Sequence, residues 1–192
     1  MSRQYWSETL AWATAAGTAV ATSTETILIP NVTIPANLLQ DGRAIRMTAS
    51  GAYGTHSATM DQYIAIRWGA IGGTVIAKTA LNMLTASMGG GASMTANWYL
   101  EAIIQTRSNG STGTLFTNGL VTYSSATLAT GGTIANYGIV VPLVSGASGG
   151  TTPVVATVDL TADTALTLSV KWNTTNAANS IRCDMYHLEA LN

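Results

Sequence analysis

The stretch TIPANLLQDGRAIRMTASG, residues 33 to 51, carries the signals that decide the fold. A proline and an Asp41-Gly42 turn come shortly before a run in which apolar and polar residues alternate. The run has Ile45, Met47 and Ala49 on one side and Arg46, Thr48 and Ser50 on the other. Such alternation is typical of a half-buried β-strand. The stretch therefore predicts a strand with one face in the core and one face open to a sheet neighbour, a loop or another subunit.

The same alternation recurs towards the C-terminus. The predicted core faces are Ile64, Ile66 and Trp68; Trp98, Leu100, Ala102 and Ile104; Val154, Ala156, Val158 and Leu160; and Leu166, Leu168, Val170 and Trp172. Gly-Gly and Asn-Gly turn signals separate the runs. Residues 180 to 191, SIRCDMYHLEAL, alternate less regularly, which indicates a β-bulge. Because no βαβ rhythm is present, the sequence predicts an all-β, jelly-roll-like antiparallel sandwich.

Two segments lack the alternation. Residues 1 to 24 contain Tyr5, Trp6 and Trp12, and residues 124 to 153 are rich in Gly, Ser and Thr. We predict an N-terminal arm at residues 1–24 and a β domain at residues 25–192 that contains a long loop at residues 124–153. The arm is either a simple terminus with a short helix at residues 7–16 or an anchor. Exposed aromatic area favours the anchor, with Tyr5, Trp6 and Trp12 as the anchoring residues.

The composition favours a subunit of an assembly. Charged residues make up 9% of the 192 residues and the net charge is -1, whereas charged residues are roughly a quarter of typical soluble domains. A surface of hydroxyls, amides and glycine does not repel a second copy.

The eight Lys and Arg residues are scattered, which argues against nucleic acid as a partner. No apolar run is long enough for a membrane span, and residues 9–21 only partly mimic a signal peptide, so we expect no membrane partner.

Reactive groups are scarce. His56 precedes Asp61 by five residues, but no nucleophile motif accompanies the pair. Cys183, the only cysteine, cannot form an internal disulfide. On a regular strand Cys183 and His187 share one face and Asp184 takes the other, so we expect a small buried thiol and no metal site.

Glu101 and Glu189 are the one carboxylate pair worth weighing for glycoside hydrolysis, and their separation cannot be judged from the sequence. Tyr63 and Trp68 are aromatic residues on a strand and are expected in the core. No phosphate-binding glycine loop follows a strand and opens a helix. We predict that the chain is not an enzyme and needs no cofactor or metal.

Three stretches resemble a group of tailed-bacteriophage virion proteins: TIPANLLQDGRAIRMTASGAY at 33–53, NWYLEAIIQTRSNGSTGTLFTNG at 97–119 and LTLSVKWNTTNAANSIRCDMYHLEALN at 166–192. These jelly-roll domains occur in capsid decoration proteins, head fibres and tail or baseplate appendages. The resemblance implies a homotrimer with a rigid β body and an N-terminal segment that attaches to the particle. The chain has no heptads and no repeat period, which favours a compact decoration protein over a fibre.

The preferred interpretation is a capsid decoration, or cement, protein that is made in the host cytoplasm and binds the major capsid protein on the virion exterior. The alternative is a head-fibre or tail-tip protein that contacts a host-surface glycan through residues 124–153 and the Gly89–Gly91 region. A third interpretation, a depolymerising enzyme, would need Glu101 and Glu189 to converge. We expect residues 25–192 to remain folded without the arm.

Overall fold

The computed structural model describes residues 7–54, 62–80, 96–128, 134–147, 152–173, 175 and 179–191. Within these ranges the chain forms twelve β-strands and no helix. The strands are β1 (Ser7–Trp12), β2 (Thr26–Ile27), β3 (Val32–Ile34), β4 (Ala44–Gly54), β5 (Gln62–Trp68), β6 (Thr74–Thr79), β7 (Ala96–Ser108), β8 (Gly113–Leu128), β9 (Ile134–Ser145), β10 (Ala156–Val158), β11 (Thr164–Trp172) and β12 (Ser180–Leu191). Among the described residues no helical segment has the length and apolarity needed to cross a membrane.

The strands form one antiparallel sheet in the order β1-β12-β4-β7-β8-β9-β6-β5-β11-β2, with β10 beside β8 and β3 beside β11. The sheet curls on itself, so that its two halves share one hydrophobic core. Leu100 of β7 and Leu168 of β11, from opposite halves, both belong to that core and are fully buried. The predicted all-β, jelly-roll-like sandwich is thus confirmed.

The alternation read from the sequence places most core residues correctly. Strand β7 buries Ala96, Trp98, Leu100, Ala102 and Ile104 and turns the residues between them outward. Strand β11 buries Leu166, Leu168, Val170 and Trp172. Tyr63 and Trp68 are buried as expected. Val154 is the exception, with 47% of its surface exposed, because β10 begins only at Ala156.

The predicted long loop at residues 124–153 is wrong for most of its length. Strand β8 continues to Leu128, and β9 pairs with it from Asn118 opposite Val144 to Leu128 opposite Ile134. The inward positions of β8 include Thr117 and Gly119, so its alternation is not one of apolar and polar residues. Of the predicted loop, residues 129–133 and 148–151 lie outside the described part of the chain.

The N-terminal segment is also different from the prediction. Residues 7–16 contain a strand where a short helix was considered, because β1 pairs with β12. Beyond β1 the chain continues along β12, where the backbone N–H groups of Ala13, Gly17 and Val20 donate to carbonyls of β12 at 2.7–3.0 Å. It then crosses to β11 and pairs there as β2. Residues 7–28 therefore cover both edges of the curled sheet, which otherwise would present unpaired backbone groups.

A β-bulge in β12 sets the directions of its side chains. The register of β12 against β4 shifts between Cys183 and Met185, as the irregular alternation indicated. A Cβ at Gly51 would lie 2.0 Å from the carbonyl oxygen of Arg182, so the close approach of the two strands requires glycine there. The extra residue also reverses the alternation. Cys183 points into the core while His187 lies opposite Thr48 on the outer face, so the expectation that they share a face is wrong.

Candidate functional site

The outer face of β1, β12, β4, β7, β8 and β9 exposes large apolar side chains. Directly opposed residues of antiparallel strands project from the same side of a sheet. One row of opposed residues runs Trp12, His187, Thr48, Glu101, Leu120, Pro142. The next row runs Met185, Ser50, Tyr99, Thr122, Val140. The exposed fractions are 59% for Trp12, 62% for Met185, 40% for Tyr99, 38% for Leu120 and 64% for Val140. Most members of these two rows are apolar or hydroxyl side chains.

The two carboxylates weighed for hydrolysis lie on this outer face on either side of β4. Glu101 is opposite Thr48, and Glu189 is opposite Arg46. This register separates their Cα atoms by roughly 12 Å, from two strand spacings and two residues along the strand. Each carboxylate has its own partner. Glu189 is 3.6 Å from the guanidinium of Arg46, and Glu101 accepts a hydrogen bond from the Tyr99 hydroxyl at 3.4 Å.

A cleft of about 390 Å³ opens in the outer face beside the β12 bulge. It is lined by Ser50, Gly51, Asn97, Trp98, Tyr99, Thr122, Ser124 and Asp184, and we call it the Tyr99 cleft. The cleft lies beside the bulge, where the short side chains of Ser50, Thr122 and Ser124 leave the outer face low. The wall formed by Asp184 is fixed, because its carboxylate accepts hydrogen bonds from Arg182 Nε at 2.6 Å and Nη2 at 3.3 Å. The floor is fixed by Trp98, whose indole N–H donates to the Arg182 carbonyl at 2.9 Å.

A second cavity lies along the open seam of the curled sheet. A groove of about 460 Å³ is lined by two segments of the chain. Residues 17–22 run alongside β12, and residues 26–30 run alongside β11. An adjoining hollow of about 240 Å³ continues it to Trp12, with Cys183 and Tyr186 in its lining. We call the two together the seam groove. None of its lining residues is charged. Trp12, one of the predicted anchoring residues, stands at its end, whereas Tyr5 and Trp6 lie outside the described residues.

The other half of the sheet carries a fully partnered ionic cluster around Glu25. The Glu25 carboxylate accepts hydrogen bonds from Arg67 Nε at 2.7 Å and Nη2 at 2.6 Å, from Ser169 Oγ at 2.6 Å and from the Tyr63 hydroxyl at 3.0 Å. The Lys78 ammonium lies 4.0 Å from the Tyr63 ring centroid. Burial disfavours ionisation of Glu25, but the hydrogen bonds from Arg67, Ser169 and Tyr63 outweigh it and lower the pKa of Glu25. A carboxylate held in this way orders the chain and is not free to transfer a proton at neutral pH.

The remaining reactive groups do not converge. His187 Nε2 lies 3.2 Å from Thr9 Oγ1, and its Nδ1 lies 3.5 Å from Glu189. Cys183 is buried, as predicted, and burial raises the pKa of its thiol to about 11, so it is protonated at neutral pH. In the described ranges no three His, Cys, Asp or Glu side chains are grouped to hold a metal ion. His56, Asp61 and the Gly89–Gly91 region lie outside those ranges.

The anchoring role of Trp12 stays a prediction, and the sequence analysis predicted neither the Tyr99 cleft nor the Glu25 cluster. Tyr99 alternates with the predicted core residues Trp98 and Leu100 and lies on the outward side of the strand. The signal for the cleft was the irregular alternation around Cys183, which marks the bulge. Nothing in the sequence pairs Glu25 with Arg67, because they are 42 residues apart.

Comparisons with known proteins give one structural likeness. The chain matches no protein-family model and no curated protein sequence. Its fold is similar to that of the CBM2 module of the evolved Dit of Lactobacillus casei BL23 phage J-1, at a TM-score of 0.34 and 10% sequence identity. The alignment covers 98% of each chain.

Proposed function

We propose that this chain is a structural protein of a tailed-bacteriophage virion, a decoration protein that binds the capsid exterior as a homotrimer. Its partner is the major capsid protein, and it catalyses no reaction. The resemblance of residues 33–53, 97–119 and 166–192 to virion jelly-roll proteins supports the class of protein. The scarcity of charge supports a chain that associates with other protein.

The observation that carries the proposal is the uncharged seam groove with Trp12 at its end. Burial of apolar surface against a partner is favourable. An extended segment of a partner can lie in such a groove and pack its apolar side chains there. Exposed tryptophan is also the residue type that most often dominates interface energy. The groove and Trp12 therefore form the attachment surface, and Tyr5 and Trp6 precede it in the chain.

Substitution of Trp12 tests this proposal. Purified Trp12→Ala protein should bind purified capsids of the parent phage at least about tenfold more weakly than the unchanged chain, as expected for loss of an interface hot spot. Because the Trp12 side chain is 59% exposed, the variant should remain folded. The measurement is co-sedimentation with capsids over a range of protein concentrations.

Val140→Ala is the matched control, because Val140 is 64% exposed on the same outer face but on β9, five strands along the sheet from β1. This variant should bind capsids normally. Unchanged binding by Trp12→Ala would remove Trp12 from the attachment surface.

A second candidate function is that of a tail-tip or head-fibre protein that contacts a host-surface glycan. The Tyr99 cleft favours it, since it combines an exposed aromatic ring with hydroxyl, amide and carboxylate groups. The contact surface first expected at residues 124–153 is largely strand, so the cleft replaces it in this proposal. The number of copies per virion separates the two functions, because decoration needs many copies and an appendage needs few.

A further inference from the structure

We propose that the Tyr99 cleft binds a single pyranose unit of a glycan. This deepens the second candidate function, and it is independent of capsid attachment, because the cleft shares no lining residue with the seam groove. The cleft is a hollow in the outer face beside the β12 bulge, where most of the lining side chains are short. Its volume of about 390 Å³ falls within the range of about 300–1,000 Å³ usual for small-ligand sites.

The polar groups of the cleft are available to a ligand. The side chains of Ser50, Asn97, Thr122 and Ser124 form no hydrogen bond within the described part of the chain. They supply three hydroxyls, which can donate or accept, and one amide, which does both. A carboxylate oxygen has several acceptor positions, so Asp184 can accept from a ligand hydroxyl while it remains bonded to Arg182. The set matches a ligand with several adjacent hydroxyl groups.

The aromatic wall supplies the apolar half of the site. Tyr99 is 40% exposed, and its hydroxyl lies 3.4 Å from a carboxylate oxygen of Glu101. Tyr99 lies on β7, between β4 and β8, so its backbone is held on both sides. A pyranose ring has an apolar C–H face that packs on such a ring while its hydroxyls reach the polar wall. Little order has to be gained on binding, because the wall is already in place.

Other ligand classes fit the cleft less well. An anionic ligand would face the carboxylate of Asp184, and the adjacent cation, Arg182, is already paired with that carboxylate at 2.6 Å. An apolar peptide segment would remove water from the hydroxyl and amide groups without replacing their hydrogen bonds, which opposes binding. A neutral sugar satisfies these groups and covers the ring.

The test is an NMR titration of the full-length, isotope-labelled protein with the methyl glycosides of glucose, galactose, N-acetylglucosamine and rhamnose. We expect at least one of the four to shift the amide signals of Asn97, Tyr99 and Thr122 in a saturable way, with a dissociation constant in the millimolar range typical of a single small contact site. Tyr99→Ala should abolish the saturable shifts, and Asp184→Asn should weaken binding severalfold. The dispersion of the remaining signals shows whether each variant is folded.

Leu120→Ala is the matched control, because Leu120 is 38% exposed on the neighbouring row of the same face and does not line the cleft. It should bind the sugar as the unchanged chain does. The proposal is overturned if none of the four glycosides produces saturable shifts, or if the shifts persist in Tyr99→Ala. Neither result bears on capsid attachment through Trp12, so the sugar site and the attachment surface are tested independently.

Discussion

At the scale of single residues, Glu25 shows how a chain with few charges uses them. Its carboxylate joins the connection between β1 and β2 to side chains of β5 and β11. The side chains of Glu25 and Arg67 are only 13% and 14% exposed. In such a site a paired charge is tolerated, while one partner without the other is costly. Glu25 therefore fixes the crossing of the N-terminal segment from one half of the sheet to the other.

Glu25→Gln should lower the free energy of unfolding by about 2 kcal/mol at neutral pH, because Arg67 loses its charged partner while the amide keeps part of the hydrogen bonding. The urea midpoint of unfolding measures this. Glu189→Gln is the matched control, since the Glu189–Arg46 pair is longer, at 3.6 Å, and more exposed. Its cost should stay below about 1 kcal/mol. Equal losses in the two variants would show that the Glu25 cluster has no special role.

The same cluster predicts a pH dependence. The folded protein lowers the pKa of Glu25 below its ordinary value of 4.5. Stability from the ionised carboxylate is therefore present above that value and is lost as the pH falls through the lower pKa of the folded state. The difference in unfolding free energy between the unchanged chain and Glu25→Gln should shrink as the pH is lowered below 4.5. A difference that grows on acidification would contradict the assignment.

At the scale of elements, the N-terminal segment closes the edges of the sheet. Residues 7–20 cover β12, and residues 26–28 cover β11. Val20 is 5% exposed, and its carbonyl accepts the indole N–H of Trp172 at 3.1 Å. The segment is therefore part of the body as well as the carrier of Trp12. An exposed strand edge is a template for pairing with other chains.

Two truncations separate these roles. Deletion of residues 1–24, first expected to leave a folded domain, should now give a protein with a lower melting temperature that aggregates on storage, because it uncovers β12 and the core at Val20. Deletion of residues 1–6 leaves both edges covered and should keep the melting temperature within a few degrees. Calorimetry and light scattering measure these outcomes. Equal stability of the two truncated proteins would show that edge coverage contributes nothing.

How far the elements could be predicted depended on what each strand buries. Strand β7 could be predicted from Trp98, Leu100 and Ile104, because its inward residues are apolar and its outward residues are mostly polar. Strand β1 is held by backbone pairing at an edge, and β8 has Thr117 and Gly119 turned inward. Neither strand therefore shows a regular alternation of apolar and polar residues in the sequence.

The Tyr99 cleft could not be located from the sequence for another reason. It depends on the position of a bulge and on the register of β12, β4, β7 and β8 together, which are tertiary properties.

At the scale of the whole molecule, charged side chains are few, and six of those in the described residues lie in ion pairs. Glu25 with Arg67, Arg46 with Glu189 and Arg182 with Asp184 are ion pairs of the described residues. The outer face beyond them exposes aromatic, aliphatic and hydroxyl groups, and the net charge of the chain is -1. Such a body meets no electrostatic barrier to packing against copies of itself or against a larger shell. This property favours a homotrimer on a capsid lattice, where each added contact stabilises the assembly by mass action.

An electron cryomicroscopy reconstruction of the parent phage particle tests the central claim most directly. We predict that the β body lies on the outside of the capsid as trimers at many lattice positions, with Trp12 and the seam groove against the major capsid protein. A reconstruction in which the chain is found only at the tail tip or on a few fibres, or with the seam groove facing away from the shell, would contradict it.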